Sequence, residues 1–473
     1  MSVTLGRREW LGSAAAAAGT AVVALQSRAL TASTSTSIAP EEFGAVGDGV
    51  TNDTDAFTAM AQFVSKRGGG IIVLRQTTYI VGRQASNAKH STYSFEAAKI
   101  LELSGCAKKV TIIGNGATLR CASGLRYGTF DASTGQPTFH PMPNYRATEL
   151  ATPYSAMIRI ENCSGGVEIS DLELDGSVAT LTIGGPYGDT GHQIPAFGLQ
   201  LINNNCSEQV SRIYTHHHAL DGIHISGFVG RTSSSVIQGV VSEYNGRQGC
   251  SVTGGRNYAF ANCRFNHTGR AGLVTAPTAG VDIEAEDKAI RNLSFSRCEF
   301  SNNAGAGMIA DSGDAEGATF DNCRFIGTTA WSAWPRKPHF RFTSCAFVGS
   351  ICNAFGDPDP DRAVQFSNCD FLDDPALSPT GQVYLPHYPI ADLYVYENIL
   401  FDGCRFILTA QSVLPWTLNV IYKNCKMSQV QSKQAYPRGT FTGANTIDGN
   451  VDLYGSKILG DLTVNGRLLP RTG

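Results

Sequence analysis

Charged residues are scarce in this chain of 473 residues, because Asp, Glu, Lys and Arg together make up only 16% of it. The formal net charge is −3, so the chain lacks the basic surplus with which proteins bind nucleic acid or anionic lipid. No phosphate-binding loop, nucleotide fingerprint or Ser-His-Asp arrangement is visible. Beyond the N-terminal segment, no apolar run reaches the ~20 residues of a membrane span. These absences argue against nucleic acid and, for the mature chain, against a membrane as partners.

The N-terminal segment has the layout of an export signal. The stretch "RREWLGSAAAAAGTAVVAL" places Arg7 and Arg8 before a short Ala-rich apolar run, which is typical of twin-arginine signals. A membrane anchor is the less favoured alternative, because the run is too short to cross a bilayer. We predict a signal and linker over residues 1–38, cleavage between Ser27 and Ser37, and a periplasmic or extracellular protein. Loss of the signal takes the net charge to about −5.

The cysteines form a repeat. Seven of the thirteen share a frame in which Phe, once Met, follows two residues after Cys: Cys263, Cys298, Cys323, Cys345, Cys369, Cys404 and Cys425. Self-similarity at this period is the signature of a stacked repeat. Disulfides are the alternative in an exported protein, and zinc is weaker because no Cys-x-x-Cys occurs. We predict a buried column of free thiols.

A glycine-led repeat runs in phase with the cysteines, in a chain that has 51 glycines and no long amphipathic helical pattern after residue 70. The leading glycines are Gly198, Gly222, Gly249, Gly280 and Gly307. Apolar side chains stand mostly one and three residues after each glycine, and polar ones lie between them, as on a strand with one buried face. One such strand and one Cys-Phe strand per coil predict an all-β, right-handed parallel β-helix over residues 39–473.

The segment "EEFGAVGDGVTNDTDAFTAMAQFVSKRGGGIIVLRQTTYIVG", from Glu41 to Gly82, resembles the opening of pectate-lyase-like β-helix proteins. It is similar to the segment shared by rhamnogalacturonases, polygalacturonases, related epimerases and phage tailspikes. The resemblance implies a short capping helix from Asp53 to Lys66 and a habit of acting on polysaccharides, without implying one reaction. "VTIIGNGATLRC" continues it as a first full coil.

Equal positions in successive coils should form columns on the outer face, because stacked strands lie ~4.8 Å apart. These columns predict one polar, mostly acidic patch, whose members are Asp221, His224, Gln248, Ser251, Asp282, Glu284 and Asp311. We predict that Asp282 and Glu284 form its centre, with Asp311 at the edge and no basic residue pairing with the acids. The alternatives are a solvated outer face and a structural Ca²⁺ site.

The patch departs from the polygalacturonase pattern to which the N-terminal segment is similar. Of that family's Asn-Thr-Asp-Gly frame, "ALDG" keeps only Asp221, and "RQGC" places Gln248 and Gly249 where an Asp pair is expected. "TAG" supplies no histidine for the family's Gly-His-Gly. Hydrolysis would therefore use other acids.

Three functions remain open from the residues. Asp282 and Glu284 would be ~6.6 Å apart on one strand, which suits an inverting glycoside hydrolase, with Asp221 as a third catalytic candidate. A lyase or epimerase acting on a uronate glycan would use a base and a cation from His224, Arg247, Arg256 and Arg270, with Ca²⁺ on the acids. A non-catalytic glycan-binding or adhesion solenoid is the third. Hydrolysis of a polysaccharide, with no required cofactor, is the favoured function, by a monomer or homo-oligomer.

Further residues are expected to bind substrate. Long inserts at 123–155, 177–197, 266–279, 328–340 and 372–392 carry aromatic side chains whose flat faces suit sugar rings, namely Trp331, Trp334, Tyr384 and Tyr388. The substrate-binding set is His224, Arg247, Gln248, Ser251, Asp311, Trp331 and Trp334. In "THHHALD" the three histidines should alternate faces and so cannot share one metal, with His218 facing the groove.

Overall fold

The computed structural model describes residues 37–386 and 389–472, and Ser37–Gly473 form one compact unit. The predicted export signal and Tyr388 lie outside the described residues, so both stay predictions. In the described part, no helix is long and apolar enough to cross a membrane. Among the described residues, one α-helix, α1 (Thr54–Arg67), and four 3-10 helices, at Pro40–Phe43, Asn144–Arg146, Val178–Thr180 and Pro375–Leu377, accompany the strands.

Strands dominate the structure, and most of them belong to a single sheet. In chain order the strands are β1 Gly70–Val73, β2 Thr78–Val81, β3 Gln84–Ser86, β4 Phe95–Ala97, β5 Leu101–Ser104, β6 Val110–Cys121, β7 Arg126–Tyr127, β8 Ala156–Glu161, β9 Val167–Asp175, β10 Thr182–Ile183, β11 Phe197–Ile202, β12 Glu208–His216, β13 Asp221–Ser226, β14 Ser235–Gln238, β15 Val241–Glu243, β16 Gln248–Ala261, β17 Arg264–Asn266, β18 Ala279–Ile283 and β19 Ile290–Ser296. They continue as β20 Glu299–Ser301, β21 Met308–Ala310, β22 Ala315–Asp321, β23 Arg324–Ile326, β24 Ala333–Pro335, β25 Arg341–Thr343, β26 Ala346–Val348, β27 Gln365–Ser367, β28 Asp370–Leu372, β29 Asp392–Asp402, β30 Arg405–Leu408, β31 Trp416–Lys423, β32 Lys426–Gln429, β33 Pro437–Thr442, β34 Ala444–Asp448, β35 Lys457–Ile458, β36 Asp461–Val464 and β37 Arg467–Leu468.

The strands stack coil on coil in parallel columns, which confirms the predicted parallel β-helix. One column, here called the front column, contains β5, β8, β11, β13, the first part of β16, β18, β21 and β24. Four of its leading glycines are the second residue of their strands, and Gly307 directly precedes β21. A Cβ on Gly222 would lie 2.0 Å from Ser242 Oγ, and one on Gly249 would lie 2.5 Å from Gly280 O. The predicted glycine repeat thus marks strand positions at which the neighbouring chain leaves no room for a Cβ.

The interior holds the predicted cysteine column. All thirteen cysteines are free thiols, and all but Cys352 are buried. Successive ladder thiols lie against the coil before, as where Cys323 Sγ donates to Phe295 O at 3.5 Å and Cys345 Sγ to Phe320 O at 3.4 Å. Two ladders of stacked phenyl rings fill the rest of the core, with Phe295 and Phe320 centred 4.8 Å apart.

The cap helix α1 is displaced by one residue at each end from the predicted Asp53 to Lys66. Asp53 precedes it, and its carboxylate accepts hydrogen bonds from the backbone N–H groups of Val46 and Gly47, which fixes the turn before the helix. Phe57, Met60 and Val64 face the core and have no exposed surface. Gly68 ends the helix with φ 76°, where glycine carries no Cβ penalty.

Two of the predicted inserts, 123–155 and 177–197, pack against each other beside the front column. β7 pairs with β10, and Thr129 and Gly185 exchange backbone hydrogen bonds. Three tyrosines from these inserts, Tyr127, Tyr154 and Tyr187, are fully buried. The inserts therefore form an ordered cover over part of the outer face.

Candidate active site

The outer face of the front column carries its polar side chains in the predicted register. From coil to coil the row contains Gln200, His224, Ser251, Asp282, Ile309 and Trp334. A neighbouring row stacks Asp221 on Gln248 and Gln248 on Ala279. The parallel ladder produces both rows, because it places residues of equal frame above one another.

A third predicted row is interrupted. A register shift after Ile225 pairs Ser226 with Gly254 rather than with Thr253. Such a bulge bends the strand locally and redirects the side chains that follow it. Glu284, which follows β18, still continues the ladder, since its N–H donates to Val252 O at 3.1 Å.

Asp282 is a buried carboxyl with one free oxygen. Its exposed fraction is 3%, its Oδ2 accepts a 2.8 Å hydrogen bond from Gln248 Nε2, and its Oδ1 is buried without a hydrogen-bond partner. Gln248 is fixed in turn, because its Oε1 accepts from the N–H of Ala279 at 3.1 Å. Burial, reinforced by the charge of Glu284, raises the pKa of Asp282 to about 8. The carboxyl therefore holds its proton at neutral pH.

Asp221 is more deeply enclosed than Asp282. It has no exposed surface, and neither carboxyl oxygen has a hydrogen-bond partner. Arg247 Nη1 lies 3.6 Å from Asp221 Oδ2. Burial raises the pKa of Asp221 to about 7 and outweighs the opposing charge of Arg247. Tyr127, from the covering insert 123–155, lies close enough to sense this carboxyl. Burial raises the pKa of the Tyr127 phenol, and the charge of Asp221 adds to the effect.

Arg247 is the cation among the acids, so the prediction that they lack a basic partner is wrong. Burial alone would lower the pKa of Arg247, but the negative charges of its neighbours hold that pKa above its ordinary value. These neighbours are Asp221, Asp282, Glu286 and Glu284. We call these four acids and Arg247 the carboxylate cluster. Arg247 was among the candidate cations, but its pairing with the acids was not predictable, because it precedes β16 and strand alternation does not set the direction of its side chain.

The cluster has a deep side and an open side. Glu284 is half-buried, and its Oε1 accepts a 2.8 Å hydrogen bond from Ser312 Oγ. Asp311 is exposed, and its place at the edge of an active groove stays a prediction. Lys337, which the sequence analysis missed, donates from Nζ to Gly313 O at 2.7 Å near Glu284 and Asp311. The repeat frame does not mark Lys337, because this residue lies beyond the end of β24.

An apolar platform continues the row past the acids. Ala279, Ala306 and Ile309 form a small buried cluster against which Trp331 and Trp334 pack. The two indole rings meet edge to face, with centroids 5.6 Å apart. A cavity of about 280 Å³ opens beside Trp331 and is also lined by Tyr396, Asn353 and Asp392. Trp331 and Trp334 thus lie on the same face as the carboxylate cluster.

Comparison with known proteins agrees with this architecture. A family model described as a right handed beta helix region matches residues 157–347. The chain is a right-handed parallel β-helix. No curated protein matches it.

Solved structures share the β-helix at low sequence identity. The N-terminal fragment of bacteriophage Phi29 gene product 12 is 15% identical, with a TM-score of 0.50 over 91% of this chain and 73% of that chain. The A-module of a mannuronan C-5 epimerase from Azotobacter vinelandii is 14% identical, with a TM-score of 0.42, and 90% of this chain and 96% of that one are covered. The tailspike protein gp49 of Pseudomonas phage LKA1 is 13% identical, with a TM-score of 0.45 over 90% of this chain and 80% of that one. At these identities the likeness shows the fold alone.

His224 occupies the predicted row of the β-helix, but both ring nitrogens are engaged. Gln200 Nε2 donates to Nδ1 at 2.9 Å, and Nε2 lies 3.1 Å from Thr253 Oγ1. Arg159 Nη1 donates to Gln200 Oε1 at 3.0 Å, which fixes the amide. The ring also stacks on Phe197 at 4.8 Å. Burial and the nearby cations lower the pKa of His224 to about 3, so the imidazole is neutral.

Three other predicted placements in the β-helix are wrong. His218 does not face the groove, because its ring is fully buried and Nδ1 lies 2.8 Å from the Tyr154 hydroxyl. Arg256 pairs with Arg291 in a different column, so it is remote from the front face. The Arg270 guanidinium binds the carbonyls of Asn302 and Asn303 at a coil corner. The strand alternation that predicts side-chain direction does not apply at corners.

Proposed function

We propose that this protein is an exported glycoside hydrolase that cleaves a polysaccharide, pectin-like or otherwise rich in uronate. The observation that carries the proposal is the environment of Asp282. A buried carboxyl that keeps its proton at neutral pH, with one oxygen free, is the group that a glycosidase uses to protonate the leaving oxygen. A structural chain gains nothing from such a group, because its burial costs stability.

Glu284 supplies the second carboxyl of the proposed reaction. It lies two residues from Asp282 along extended backbone, a spacing of ~6.6 Å, within the range that leaves room for a water molecule in an inverting enzyme. Its half-buried position gives that water access. Asp282 gives its proton to the glycosidic oxygen, Glu284 takes a proton from the attacking water, and the anomeric configuration inverts. Asp221 and Arg247 are buried next to these two acids, and their charges act on the pKa of Asp282 in opposite directions.

The substrate class is inferred from the side chains that flank the acids. Trp331 and Trp334 offer flat apolar surfaces for sugar rings, while Arg247 and Lys337 offer positive charge to a uronate carboxylate. Gln248 and Ser251 lie buried between these two ends, and Gln248 holds Asp282 in place. A polysaccharide that lies along the front column would contact the less buried side chains of Glu284, Trp331 and Trp334.

A lyase or epimerase is the second candidate, favoured by one observation. Arg247 lies among the acids, where it could neutralise a uronate carboxylate and so ease removal of the neighbouring proton. The base would have to be a residue other than His224, whose ring nitrogens are both engaged. A non-catalytic glycan-binding solenoid remains the third.

A polysaccharide panel separates these functions. We expect new reducing ends without the absorbance of an unsaturated uronate, and loss of turnover by about 10² or more in Asp282→Asn and in Glu284→Gln. Asp361→Asn, an exposed acid far along the chain, is the matched control and should keep full activity. New absorbance with the reducing ends would instead indicate a lyase. Binding without products, or unchanged turnover in both variants, would refute the proposed hydrolase.

A further inference from the structure

A second polar cluster lies at the corner between β12 and β13, outside the front column. His216 ends β12 and pairs in register with Asp175 at the end of β9. His217 follows with φ 55°, a left-handed conformation that interrupts the alternation of faces. The two adjacent rings therefore converge instead of pointing to opposite faces. One ligand atom from each of Asp175, His216 and His217 lies within 4.8 Å of the others.

The imidazole rings are oriented by their surroundings. Nε2 of His216 lies 3.2 Å from Glu173 Oε1, which leaves Nδ1 to face the cluster, 2.6 Å from Nδ1 of His217. The His216 ring stacks on Tyr214 at 4.2 Å, and the His217 ring stacks on Tyr244 at 5.2 Å. A carboxylate on the far nitrogen is the arrangement that orients metal-binding histidines in proteins.

The third member of the cluster is also held in one orientation. Asp175 Oδ1 lies 3.8 Å from Nδ1 of His216. The same oxygen accepts hydrogen bonds from the N–H and hydroxyl of Ser177 at 2.9 and 3.0 Å, and Oδ2 accepts from Arg120 Nε at 2.8 Å. The Asp175 side chain is 13% exposed and that of His216 is 9% exposed. The cluster is thus partly shielded and yet reachable from solvent.

We propose that Asp175, His216 and His217 bind a divalent transition-metal ion of the zinc class, with water as the fourth ligand. Two imidazoles and one carboxylate are a ligand set that zinc accepts in tetrahedral geometry, whereas Ca²⁺ and Mg²⁺ require more oxygen ligands. Metal entry replaces the N–H···N hydrogen bond between the rings, and the proton leaves Nδ1 of His217 while its Nε2 takes one up from solvent, so that the imidazole stays neutral. The Nδ1 atoms must then separate to about 3.4 Å, the spacing set by two Zn–N bonds of ~2.0–2.1 Å at a tetrahedral angle.

The metal would have a structural consequence for the candidate active site. Ser177, which binds Asp175, begins the 177–197 insert that packs with 123–155 over the front column. A metal on Asp175 and the two histidines would tie the start of this insert to the corner of the next coil. This inference is independent of the proposed hydrolase activity.

The test is zinc titration of tag-free, chelator-treated full-length protein by calorimetry, with melting temperature as a second readout. We expect one equivalent bound and a higher melting temperature with zinc. His217→Gln should lower the affinity by about 100-fold or more, since even outer-shell partners cost 10–100-fold. The matched control is His267→Gln, because His267 has φ 58° at an equivalent corner and stacks on Tyr244 at 4.7 Å but is not part of the cluster.

Several outcomes would overturn the site. Absence of zinc binding by the wild-type protein would do so, and so would equal affinity in His217→Gln, which would locate the ion elsewhere, for example on the carboxylate cluster. Circular dichroism checks that each variant is folded. If His217→Gln is misfolded, Asp175→Asn takes its place, and retention of wild-type affinity there would refute the proposal.

Discussion

Asp221 and Asp282 are buried carboxyls whose ionisation lowers the stability of the folded protein. Their pKa values, about 7 and about 8, lie above the ordinary value of 3.8. Between 3.8 and these values the folded protein holds more protons than the unfolded chain, so the free energy of unfolding falls as pH rises through that window. Below pH 4 both states are protonated and the two carboxyls cost nothing further.

We expect this pH dependence to disappear in an Asp221→Asn/Asp282→Asn double variant, whose neutral amides imitate the protonated acids. Between pH 4 and pH 8 the unfolding free energy of the wild type should fall relative to that of the variant by an amount on the order of a few kcal/mol. Its melting temperature should fall relative to that of the variant over the same range. Thermal melts at a series of pH values measure this. Parallel curves for the two proteins would show that the acids are ionised and well solvated.

The candidate site was predictable at some residues and not at others. The rows that bring Gln248 beside Asp282 follow from counting residues after each glycine, because parallel strands keep register. The depth of Asp221 depends on two inserts whose packing has no period in the sequence. The positions of His217 and His218 depend on one left-handed corner residue, which strand alternation cannot predict.

At the scale of single elements, the cysteine ladder is the feature most open to test. Each ladder thiol contacts a backbone carbonyl of the coil before, and neighbouring coils leave no thiol pair exposed to oxidant. We expect thirteen free thiols when the full chain is denatured without reductant and titrated. The buried position of the thiols supports this, because oxidation requires access. A count lower by two or more would establish disulfides in place of the ladder.

The elements themselves were largely foreseeable. The cap helix α1 is one residue from its predicted bounds, which came from the resemblance of the segment Glu41 to Gly82 to the opening of pectate-lyase-like proteins. The glycine-led strands of the front column also match, because the chain packed against each leading glycine leaves no room for a Cβ. The bulge after Ile225 was not foreseeable, because it arises from how β13 meets β16 in the next coil.

At the scale of the whole molecule, stability is a sum over neighbouring coils, and the ends are the weak points. Helix α1 closes the first coil, with Phe57 meeting Tyr79 edge to face at 5.2 Å. We expect Phe57→Ala to lower the free energy of unfolding by about 3–5 kcal/mol and to promote aggregation through the uncovered strands. Denaturant titration and light scattering measure both effects.

Phe63 is the control on the same helix, because it is 42% exposed. Phe63→Ala should cost less than about 1 kcal/mol and leave the protein monodisperse. Equal losses in the two variants would mean that the helix does not act as a cap.

The front column also sets a constant distance between successive side chains on its outer face. Its rungs are separated by the ~4.8 Å that backbone hydrogen bonds impose, so their spacing does not change when side chains do. The side chains at successive levels differ in chemistry, with an imidazole at His224, a hydroxyl at Ser251, an acid at Asp282 and an indole at Trp334. A substitution on one rung therefore changes the chemistry at that level of the column while the backbone spacing of the other levels is kept.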